Sequence, residues 1–561
     1  MKLLQITIVT CCVLLAACSQ EADQITEATS TADYVFTNGK VYTVNENQPW
    51  AEAVAVSGKD IIYVGDSAGA EAFIGADTTV TDLENKVLLP GFIGSHDHPL
   101  PTSVLFAGAQ LTFSRDADTM LTELKDYLEK NPDGPYFSFG GATENTVPIT
   151  KEKIDAIISD KPFLMIASTG HGAWMNTAAL EALGVRAGEP DPIDNWERDE
   201  NDQPTGNAPS SAAAFYSLVN LGLVTKEAVM EQAVNVFGKI SALGVTAVMD
   251  PGTPPGTESI VWGAIGELEK QGKITVRVQA AAMTQREVHL EGALVALEEF
   301  GPVYSSELFN VNVLKIHGGS PDGYTSAFLE PYSDRPDFYG DLGYSAEAQK
   351  AAVLKAAKMG YDIHTHAIGD KNIRRALDTY QAVREAGYDD TRLTTGHTGV
   401  VQPDDKPRYV ELDVIANTYG LLNAEPEAVF ASRIGPERLQ LLQPMGSLLE
   451  LGIRLSASAD FPTAPMDPFK QITVFMTRSR PGVEDSLGPE SERLTLEQSI
   501  HAWTMGSAYQ LRMEDKLGSI EVGKRADLIV IDQDIFNLTA DEIWDTNVLL
   551  TMMNGNITHR N

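Results

Sequence analysis

Two histidines separated by one residue follow an apolar run near the start of the chain. His96 and His98 come directly after residues 87–95, which are mostly apolar and end in Gly94 and Ser95. Because side chains alternate along a strand, both imidazoles point to the same side and can reach one metal ion, with Asp97 turned away. A His-x-His pair alone is a weak indication of a metal site.

Four further side chains suited to metal chemistry stand at the ends of later strand-like runs. In chain order they are Lys315, His366, His397 and Asp460. Imidazole and carboxylate ligands suit zinc, although iron, manganese or nickel fits the same set. A divalent ion activates water and polarises a carbonyl, and an aspartate beside it can carry the proton. The order predicts a metal-dependent hydrolytic centre in which Asp460 is both ligand and proton carrier.

Three of these positions also have a purely structural interpretation. An ammonium cannot bind a metal, so Lys315 is alternatively a barrel lysine paired with an acid or extending toward solvent. His364 and His366 form a second His-x-His pair. We favour His366 because it stands nearer the strand end, and we expect His364 one layer deeper. For Asp460, the alternative is a turn-capping role.

Composition excludes one class of partner and bounds the size of the fold. The chain has 561 residues, a formal net charge of -36 and 43% hydrophobic residues. This length accommodates a large core in two or three structural units. Nucleic-acid binding depends on Lys and Arg at phosphates, so a chain this acidic is not expected to bind DNA or RNA.

The first residues resemble a bacterial lipoprotein signal. Lys2 precedes an apolar stretch that is too short to favour a membrane-spanning helix, and residues 15–18 read Leu-Ala-Ala-Cys. We therefore expect a signal peptide over 1–17, lipidation of Cys18 and a flexible tether over 18–31. Ser19 after the cysteine favours the outer membrane, facing the periplasm. The alternative is an ordinary signal peptide with a chance cysteine.

All three cysteines lie in this N-terminal segment, at positions 11, 12 and 18. The remaining chain therefore offers no thiolate for a zinc site and no disulfide. A metal must be held by histidine, by carboxylate or by a modified lysine.

The rest of the chain divides into strand-rich ends and a long alternating middle. Residues 32–86 and 512–561 predict one small composite β domain, a β-sandwich built from both termini. Residues 87–511 alternate short apolar runs with amphipathic helical stretches, which is typical of parallel β/α units. The candidate strands are Leu88–His96, Val245–Asp250, Ile274–Ala282, Val311–His317, Tyr361–His366, Arg392–His397, Leu412–Thr418 and Ile453–Asp460. Eight such strands predict an α/β fold of the TIM-type (β/α)8 barrel class, with catalytic groups at the C-terminal strand ends. The long span after the first strand, about 100–240, is interpreted as an insertion.

Four segments of the chain resemble the amidohydrolase superfamily and, within it, the YtcJ-like (amidohydrolase 3) family. They are Leu89–His98 (LPGFIGSHDH), Gly170–Asn176 (GHGAWMN), His366–Asp370 (HAIGD) and Gly523–Leu528 (GKRADL). The resemblance implies hydrolysis of an amide or related C–N bond of a small molecule. It also implies one or two zinc ions held by His96, His98, Lys315, His366, His397 and Asp460, with a carbamate on Lys315 bridging two ions. Such hydrolases often form homodimers, so we expect pairing of two copies.

The resemblance also points to residues near the substrate. His171 is expected to contact the substrate or support the oxyanion, with a structural histidine as the alternative, and Asn176 is a weaker candidate for substrate contact. Residues 316–323 depart from the Asp-Gly step that many relatives carry after the lysine, and they place His317 and Asp322 in a loop expected to face the substrate.

Two rival functions remain open from the sequence. The same metal centre could act on a lactone, a peptide or a phosphotriester, because fold alone does not separate these reactions. A lipoprotein that keeps the barrel as a non-catalytic binding module, or one that scavenges metal, belongs to a different class. The complete ligand set argues against the non-catalytic rivals, since binding alone has no chemical need for Asp460.

Overall fold

A computed structural model of the chain describes residues 31–114, 116–142, 148–168, 170, 172–193, 196–208, 210–321, 324–420, 429–483 and 488–561. Within these ranges, no helix is both long enough and apolar enough to cross a membrane.

The strands in the described ranges are numbered in chain order. They are β1 (Tyr34–Thr37), β2 (Lys40–Tyr42), β3 (Trp50–Ala51), β4 (Ala53–Ser57), β5 (Asp60–Gly65), β6 (Thr79–Asp82), β7 (Val87–Pro90), β8 (Phe92–Gly94), β9 (Ala109–Leu111), β10 (Phe137–Gly140), β11 (Leu164–Ile166), β12 (Ala173–Met175), β13 (Asn207–Ala208), β14 (Val245–Thr253), β15 (Arg277–Thr284), β16 (Phe309–Ile316), β17 (Asp362–His366), β18 (Leu393–Gly396), β19 (Val414–Thr418), β20 (Leu455–Ala457), β21 (Leu528–Ile531), β22 (Val548–Met553) and β23 (Asn556–Arg560).

The α-helices of the same ranges are numbered likewise. They are α1 (Ser67–Ala70), α2 (Pro99–Leu105), α3 (Ala117–Lys130), α4 (Lys151–Asp155), α5 (Thr177–Leu183), α6 (Ser211–Asn220), α7 (Lys226–Ala242), α8 (Glu258–Lys270), α9 (Leu290–Val295), α10 (Gly301–Tyr304), α11 (Ala346–Lys358), α12 (Asp370–Glu385), α13 (Lys406–Glu411), α14 (Val429–Leu439), α15 (Met445–Glu450), α16 (Pro468–Thr477), α17 (Leu496–His501), α18 (Ser507–Gln510) and α19 (Ala540–Ile543).

Eight parallel strands form the central sheet. Their order is β8-β14-β15-β16-β17-β18-β19-β20, which follows the chain from first to last. The two edge strands approach each other, since the Ser95 N–H donates to the Ala457 carbonyl oxygen at 2.9 Å. Helices that follow the strands, such as α8 and α12, pack against the outside of the sheet. The predicted α/β barrel class is therefore confirmed.

The first barrel strand differs from its prediction. We expected one strand over Leu88–His96, but the apolar run is split at Gly91 into β7 and β8. The Gly91 N–H donates to the Asp527 carbonyl oxygen, and a Cβ at Gly91 would lie 2.5 Å from the Thr246 side chain. Only β8 belongs to the barrel, because this close approach turns the chain between two sheets.

Two sheets are built from the ends of the chain. The strands β5-β4-β1-β6 form one, and β23-β22-β21-β7-β2-β3 form the other, which joins strands from both termini. A bidentate ion pair between Arg277 at the start of β15 and Asp527 connects the second sheet to the barrel, and both side chains are buried.

A further sheet lies between β8 and β14 in chain order. Its strands are arranged β13-β12-β11-β10-β9, and α3 packs against β9. A separate apolar cluster fills the space behind it, with Met120, Leu124, Phe163 and Trp174 among its buried members. One face of this sheet thus packs on a cluster of its own, while buried residues such as Phe137, Leu164 and Met175 belong to the main core shared with the barrel.

Candidate metal centre

The six predicted ligands lie at the same end of the barrel. His96 and His98 follow β8, and the others belong to or follow β16, β17, β18 and β20. Parallel strands bring their carboxyl ends to one edge, so side chains separated by more than 360 residues meet there. The strand pairing sets their levels: Lys315 pairs with His364, and His366 pairs with Gly396.

One group of donors surrounds the Asp460 carboxylate. Its Oδ1 lies 3.2 Å from His98 Nε2 and 3.8 Å from His96 Nε2. The Lys315 Nζ lies 3.2 Å from the same His96 nitrogen. Four side chains from three parts of the sequence therefore converge within bonding reach of one point.

A second pair of imidazoles adjoins this group. His397 Nε2 lies 3.0 Å from His366 Nδ1, and the His397 ring centroid is 4.4 Å from that of His96. Donor atoms of His96, His397 and Asp460 all lie within 4.8 Å of one another, which is the spacing of ligands around one ion. These three side chains therefore form a candidate ligand set for one ion.

Exposure shows from which side the site is reached. Lys315, His96 and His397 are each 1% exposed, whereas the side chains of His98 and Asp460 are 23% and 13% exposed. The His98–Asp460 side of the site is therefore more open than the side of Lys315, His96 and His397.

Protonation in the site favours metal binding. Burial lowers the pKa values of His96 and His366 well below the ordinary value, and it lowers the pKa of His397 to about 4. Burial also lowers the pKa of Lys315 to about 7, against the opposing effect of Asp460 and Asp250. Neutral imidazoles offer lone pairs and repel a cation less than imidazolium does. The donor set present here fits a divalent metal ion.

Asp460 is ionised in this environment. Burial alone would raise the pKa of its carboxyl, but His397, His98 and Lys315 together lower it below its ordinary value. Its backbone has φ +58°, and that of His397 has φ +68°. Left-handed conformations are unfavourable for residues other than glycine, although Asp and His tolerate them better than most. Two of the candidate ligands are thus held in left-handed backbone conformations by their surroundings.

His364 and His366 have different places in the site. His366 lies beside His397, as described above. His364 lies one layer deeper, where its Nε2 is 2.9 Å from His96 Nδ1. His364 therefore contacts a ligand from behind and does not face the open side of the site.

Two buried carboxylates near the ligands were not among the predicted site residues. Asp97 accepts the N–H groups of Ala459 and Phe461, on either side of Asp460. Asp250, near the end of β14, accepts the N–H groups of Leu100 and Gly252. Asp250 stands near the end of an apolar, strand-like run, and this position in the sequence could have identified it as a site residue. Nothing in the sequence connects Asp97 to residues 362 and 364 positions away.

Gln443 supports His397 in a similar way. Its side-chain amide donates to the His397 carbonyl oxygen at 3.0 Å and to that of Tyr419 at 3.3 Å. The buried Arg478 guanidinium in turn donates to the carbonyl oxygens of Gln443 and Leu442. This connection fixes the left-handed turn at His397.

The residues expected near the substrate have different outcomes. His317 is half-buried, and its ring lies 4.8 Å from the His366 ring with an interplanar angle of 31°. Its Nδ1 accepts the Gly319 N–H at 3.2 Å. His317 therefore lies beside the ligands, whereas His171, Asp322 and Cys18 lie outside the described residues.

Asn176 has a structural role, which corrects the expectation of substrate contact. It is fully buried and caps α5, accepting the N–H groups of Ala179 and Phe163 at 2.9 Å. Its amide nitrogen donates to the carbonyl oxygens of Ile158 and Lys161 at 2.8 Å. Every hydrogen-bonding group of the side chain is satisfied by backbone, so none is left for a substrate.

Comparison with known proteins supports the resemblance noted in the sequence. The chain is 30% identical over 398 residues to the exoenzymes regulatory protein AepA of Pectobacterium carotovorum subsp. carotovorum, covering 68% of this chain and 83% of that protein. It is 26% identical over 553 residues to an N-substituted formamide deformylase of Arthrobacter pascens, covering 94% and 98%. A crystal structure of an uncharacterized metal-dependent hydrolase from Pyrococcus furiosus has the same fold, with a TM-score of 0.70 at 24% identity, covering 89% of this chain and 99% of that one.

The sequence pattern of the amidohydrolase family matches residues 79–559, which include all six converging side chains. The family resemblance predicted from the sequence motifs is thereby confirmed. The chain belongs to the amidohydrolase family and is a metal-dependent hydrolase of that superfamily, with a candidate metal site at His96, His397 and Asp460.

Proposed function

We propose that this chain hydrolyses a carbon–nitrogen bond of a small amide, N-acyl or N-formyl compound. The observation that carries the proposal is the position of the ionised Asp460 carboxylate, 3.2 Å from His98 Nε2 on the accessible side of the site. A carboxylate there can bind a metal ion and exchange a proton with a reacting group. The formamide deformylase of Arthrobacter pascens, aligned over 94% of this chain, supports a C–N bond as the target.

The metal would be held by residues already close together. His96, His98 and Asp460 would hold one ion, and His366 with His397 would hold a second, with zinc as the expected metal. When bound, divalent ions supply Lewis acidity toward the scissile carbonyl and the attacking water. The side chains have the complementary task of orienting the reactants and moving the proton.

Asp460 is the proton carrier in this proposal. Its lowered pKa leaves the carboxylate ionised near neutral pH, so it can take a proton from the attacking water. The leaving nitrogen needs that proton for the C–N bond to break, and Asp460 returns it there. Water thereby adds its oxygen to the carbonyl carbon, one proton goes to the nitrogen, and the products are an acid and an amine.

Lys315 is proposed to carry a carbamate, whose oxygens would serve as metal ligands. Its neutral amine attacks carbon dioxide, a C–N bond forms and one proton is released, which turns the neutral amine into an anionic oxygen ligand. The pKa of about 7 supplies the neutral amine near neutral pH, and the Nζ–His96 Nε2 distance of 3.2 Å places it among the ligands. A mass increase of one carbon dioxide in the intact metal-loaded chain, absent in Lys315→Met, is the expected result. An unmodified Lys315 in active protein would overturn this part of the proposal.

The reaction class is tested by supplying chemically distinct substrates to the zinc-loaded chain. A set of N-alkyl and N-aryl formamides, N-acyl amines, lactones and phosphotriesters is suitable, with release of amine or acid as the readout. We expect turnover of formamides or N-acyl amines that disappears on chelation and returns with zinc. Turnover confined to lactones or phosphotriesters would overturn the C–N assignment.

We also propose that the protein is exported, anchored by lipid at Cys18 and exposed to the periplasm at the outer membrane. This proposal depends on the sequence of residues 1–19 and on no structural observation. Loss of membrane association in Cys18→Ser, with the parent in the outer-membrane fraction, is the expected result. Pairing into a homodimer is proposed from the family resemblance, and light scattering of the purified chain tests it.

A further inference from the structure

We infer that Asp97 is the positioning residue of Asp460, holding it in the conformation in which its carboxylate faces His98 and His96. This inference depends on the proposed function only in treating Asp460 as ligand and proton carrier. The two aspartates are far apart in sequence, and the connection between them is entirely tertiary.

The contact is made through backbone on both sides of Asp460. Oδ1 of Asp97 accepts the Ala459 N–H at 3.1 Å and the Phe461 N–H at 3.0 Å. Asp97 is fully buried, so in the intact chain bulk water does not compete with it as acceptor for these N–H groups. A single oxygen therefore joins the Ser458–Ala459 and Asp460–Phe461 peptide units, and the second of these carries the Asp460 carbonyl.

The backbones of the two segments are also joined. The Asp460 N–H donates to the His96 carbonyl oxygen at 3.2 Å, and the His98 N–H donates to the Phe461 carbonyl oxygen at 2.8 Å. These bonds set the two segments side by side, the Thr463 N–H donates to the Asp460 carbonyl oxygen at 2.9 Å, and the φ of Asp460 is +58°. A residue other than glycine keeps a left-handed conformation only when contacts with the surrounding structure hold it there. The Asp97 carboxylate supplies the two bonds that bracket this conformation.

Asp97 is itself held in place by a glycine. Its Oδ2 is buried without a hydrogen-bond partner in the described residues. A Cβ at Gly94 would lie 2.0 Å from that oxygen. The missing side chain at Gly94 therefore provides the space into which the carboxylate folds, with its other oxygen directed at residues 459–461.

Cobalt provides a readout that needs no substrate. The visible absorption of a cobalt(II)-loaded site depends on the number and geometry of ligands, so loss of Asp460 as a ligand changes the spectrum. The parent, Asp460→Asn, Asp97→Ala and Asp97→Asn chains are loaded with cobalt(II) and compared. We expect Asp97→Ala to reproduce the change seen in Asp460→Asn. We expect Asp97→Asn, which keeps an acceptor oxygen, to resemble the parent.

Turnover gives the second readout. Misplacing a reacting group by about 1 Å costs about 100-fold in rate, so kcat of zinc-loaded Asp97→Ala should fall about 100-fold with little change in KM. Rescue by Asp97→Asn separates positioning from a general loss of structure. Asp362→Asn is the control for loss of a buried carboxylate elsewhere, because Asp362 accepts the Arg392 N–H at 2.9 Å and pairs with Arg512 at the opposite end of β17, away from the site. It should leave the cobalt spectrum and kcat unchanged.

Gly94→Ala displaces the Asp97 carboxylate without substituting Asp97 itself. This variant keeps the inference testable if Asp97→Ala does not fold. We expect Gly94→Ala to shift the spectrum and lower kcat as Asp97→Ala does. When both substitutions are combined, the methyl group added at position 94 enters the space left by the carboxylate. The double variant should therefore be no worse than Asp97→Ala alone.

The outcomes separate this inference from the proposed function. The inference would be overturned if Asp97→Ala and Gly94→Ala had the spectrum and the kcat of the parent while Asp460→Asn had an altered spectrum. A parent chain that binds no cobalt would also overturn it. If the cobalt spectra change as expected but no C–N substrate is turned over, the inference stands and the proposed function fails.

Discussion

His364 Nε2 lies 2.9 Å from His96 Nδ1, so one buried imidazole holds another in place. The opposite nitrogen of His96 faces Lys315 and Asp460. For that nitrogen to offer its lone pair to a metal, the proton of a neutral imidazole must be on Nδ1, where His364 accepts it. If His96 binds a metal, the pair would set both the orientation and the tautomer of its imidazole.

Removing His364 should weaken metal binding without removing a ligand. Loss of an outer partner of a ligating histidine typically costs 10- to 100-fold in metal affinity, and we expect a loss of about this size in His364→Ala. Competition with a chromogenic chelator measures it. His559→Ala, in β23 of the terminal sheet, is the matched control and should bind metal as the parent does. Equal affinities in all three proteins would show that His364 is only a packing residue.

Lys315 should make the metal-free protein more stable as pH rises. The pKa of Lys315 is about 7 in the folded chain and about 10.4 in an unfolded chain. Between these values the unfolded state binds one more proton, so the free energy of unfolding increases with pH by about 1.4 kcal/mol per unit from this group alone. Urea unfolding at pH 7, 8 and 9, in carbon-dioxide-free buffer with chelator, measures the slope.

Lys315→Met should lose that part of the slope and be more stable than the parent at pH 7. The substitution keeps a long side chain in the barrel and removes a buried group that titrates. An identical pH dependence in the parent and in Lys315→Met would mean that Lys315 keeps its ordinary pKa in the folded chain.

Removing one member of the buried pair of Arg277 and Asp527 should destabilise the protein, whereas replacing both members with apolar residues should be tolerated. Asp527→Ala leaves a buried guanidinium without its carboxylate, which typically costs about 3–5 kcal/mol. The double variant Arg277→Met with Asp527→Leu removes both charges and should recover most of that loss. Chemical unfolding of the parent, Arg277→Met, Asp527→Leu and the double variant forms the thermodynamic cycle, with Asp527→Ala measured beside them. A single variant as stable as the parent would contradict the role of this pair in joining the terminal sheet to the barrel.

Asn176→Ala should affect stability and leave substrate affinity unchanged. The substitution removes an α5 cap and exposes buried donors and acceptors without partners, which costs about 1–3 kcal/mol. Unfolding midpoints and KM of the zinc-loaded enzyme are compared, with the exposed Asn235→Ala of α7 as control. A raised KM at parent stability would restore Asn176 as a substrate contact.

The sequence was sufficient for the barrel and for the convergence of its ligands. Apolar runs of strand length recur with helical stretches between them, and side chains that end parallel strands must meet at one edge. This is why residues as distant as His98 and Asp460 could be placed together from the sequence alone. His364 and His366 are two residues apart in β17 and therefore share a face. They could still be distinguished from the sequence, because His366 stands nearer the end of the strand.

Contacts that depend on chain turns between elements were not predictable. The split at Gly91 follows from its close approach to Thr246, which no local pattern contains. Asp97 was expected to turn aside from His96 and His98, but its partners at residues 459 and 461 are set by the closure of the barrel. Gln443 likewise acquires its role from the left-handed turn at His397.

The role of Asp460 is the central claim, and one measurement tests it most directly. The kcat of zinc-loaded Asp460→Asn is compared with that of the parent at saturating C–N substrate, with zinc content determined for both. A general acid–base typically contributes 100- to 10,000-fold, so we predict a loss of about that size in chains that still contain zinc. Full turnover by zinc-loaded Asp460→Asn would contradict the assignment of Asp460 as proton carrier and, with it, the mechanism proposed for this chain.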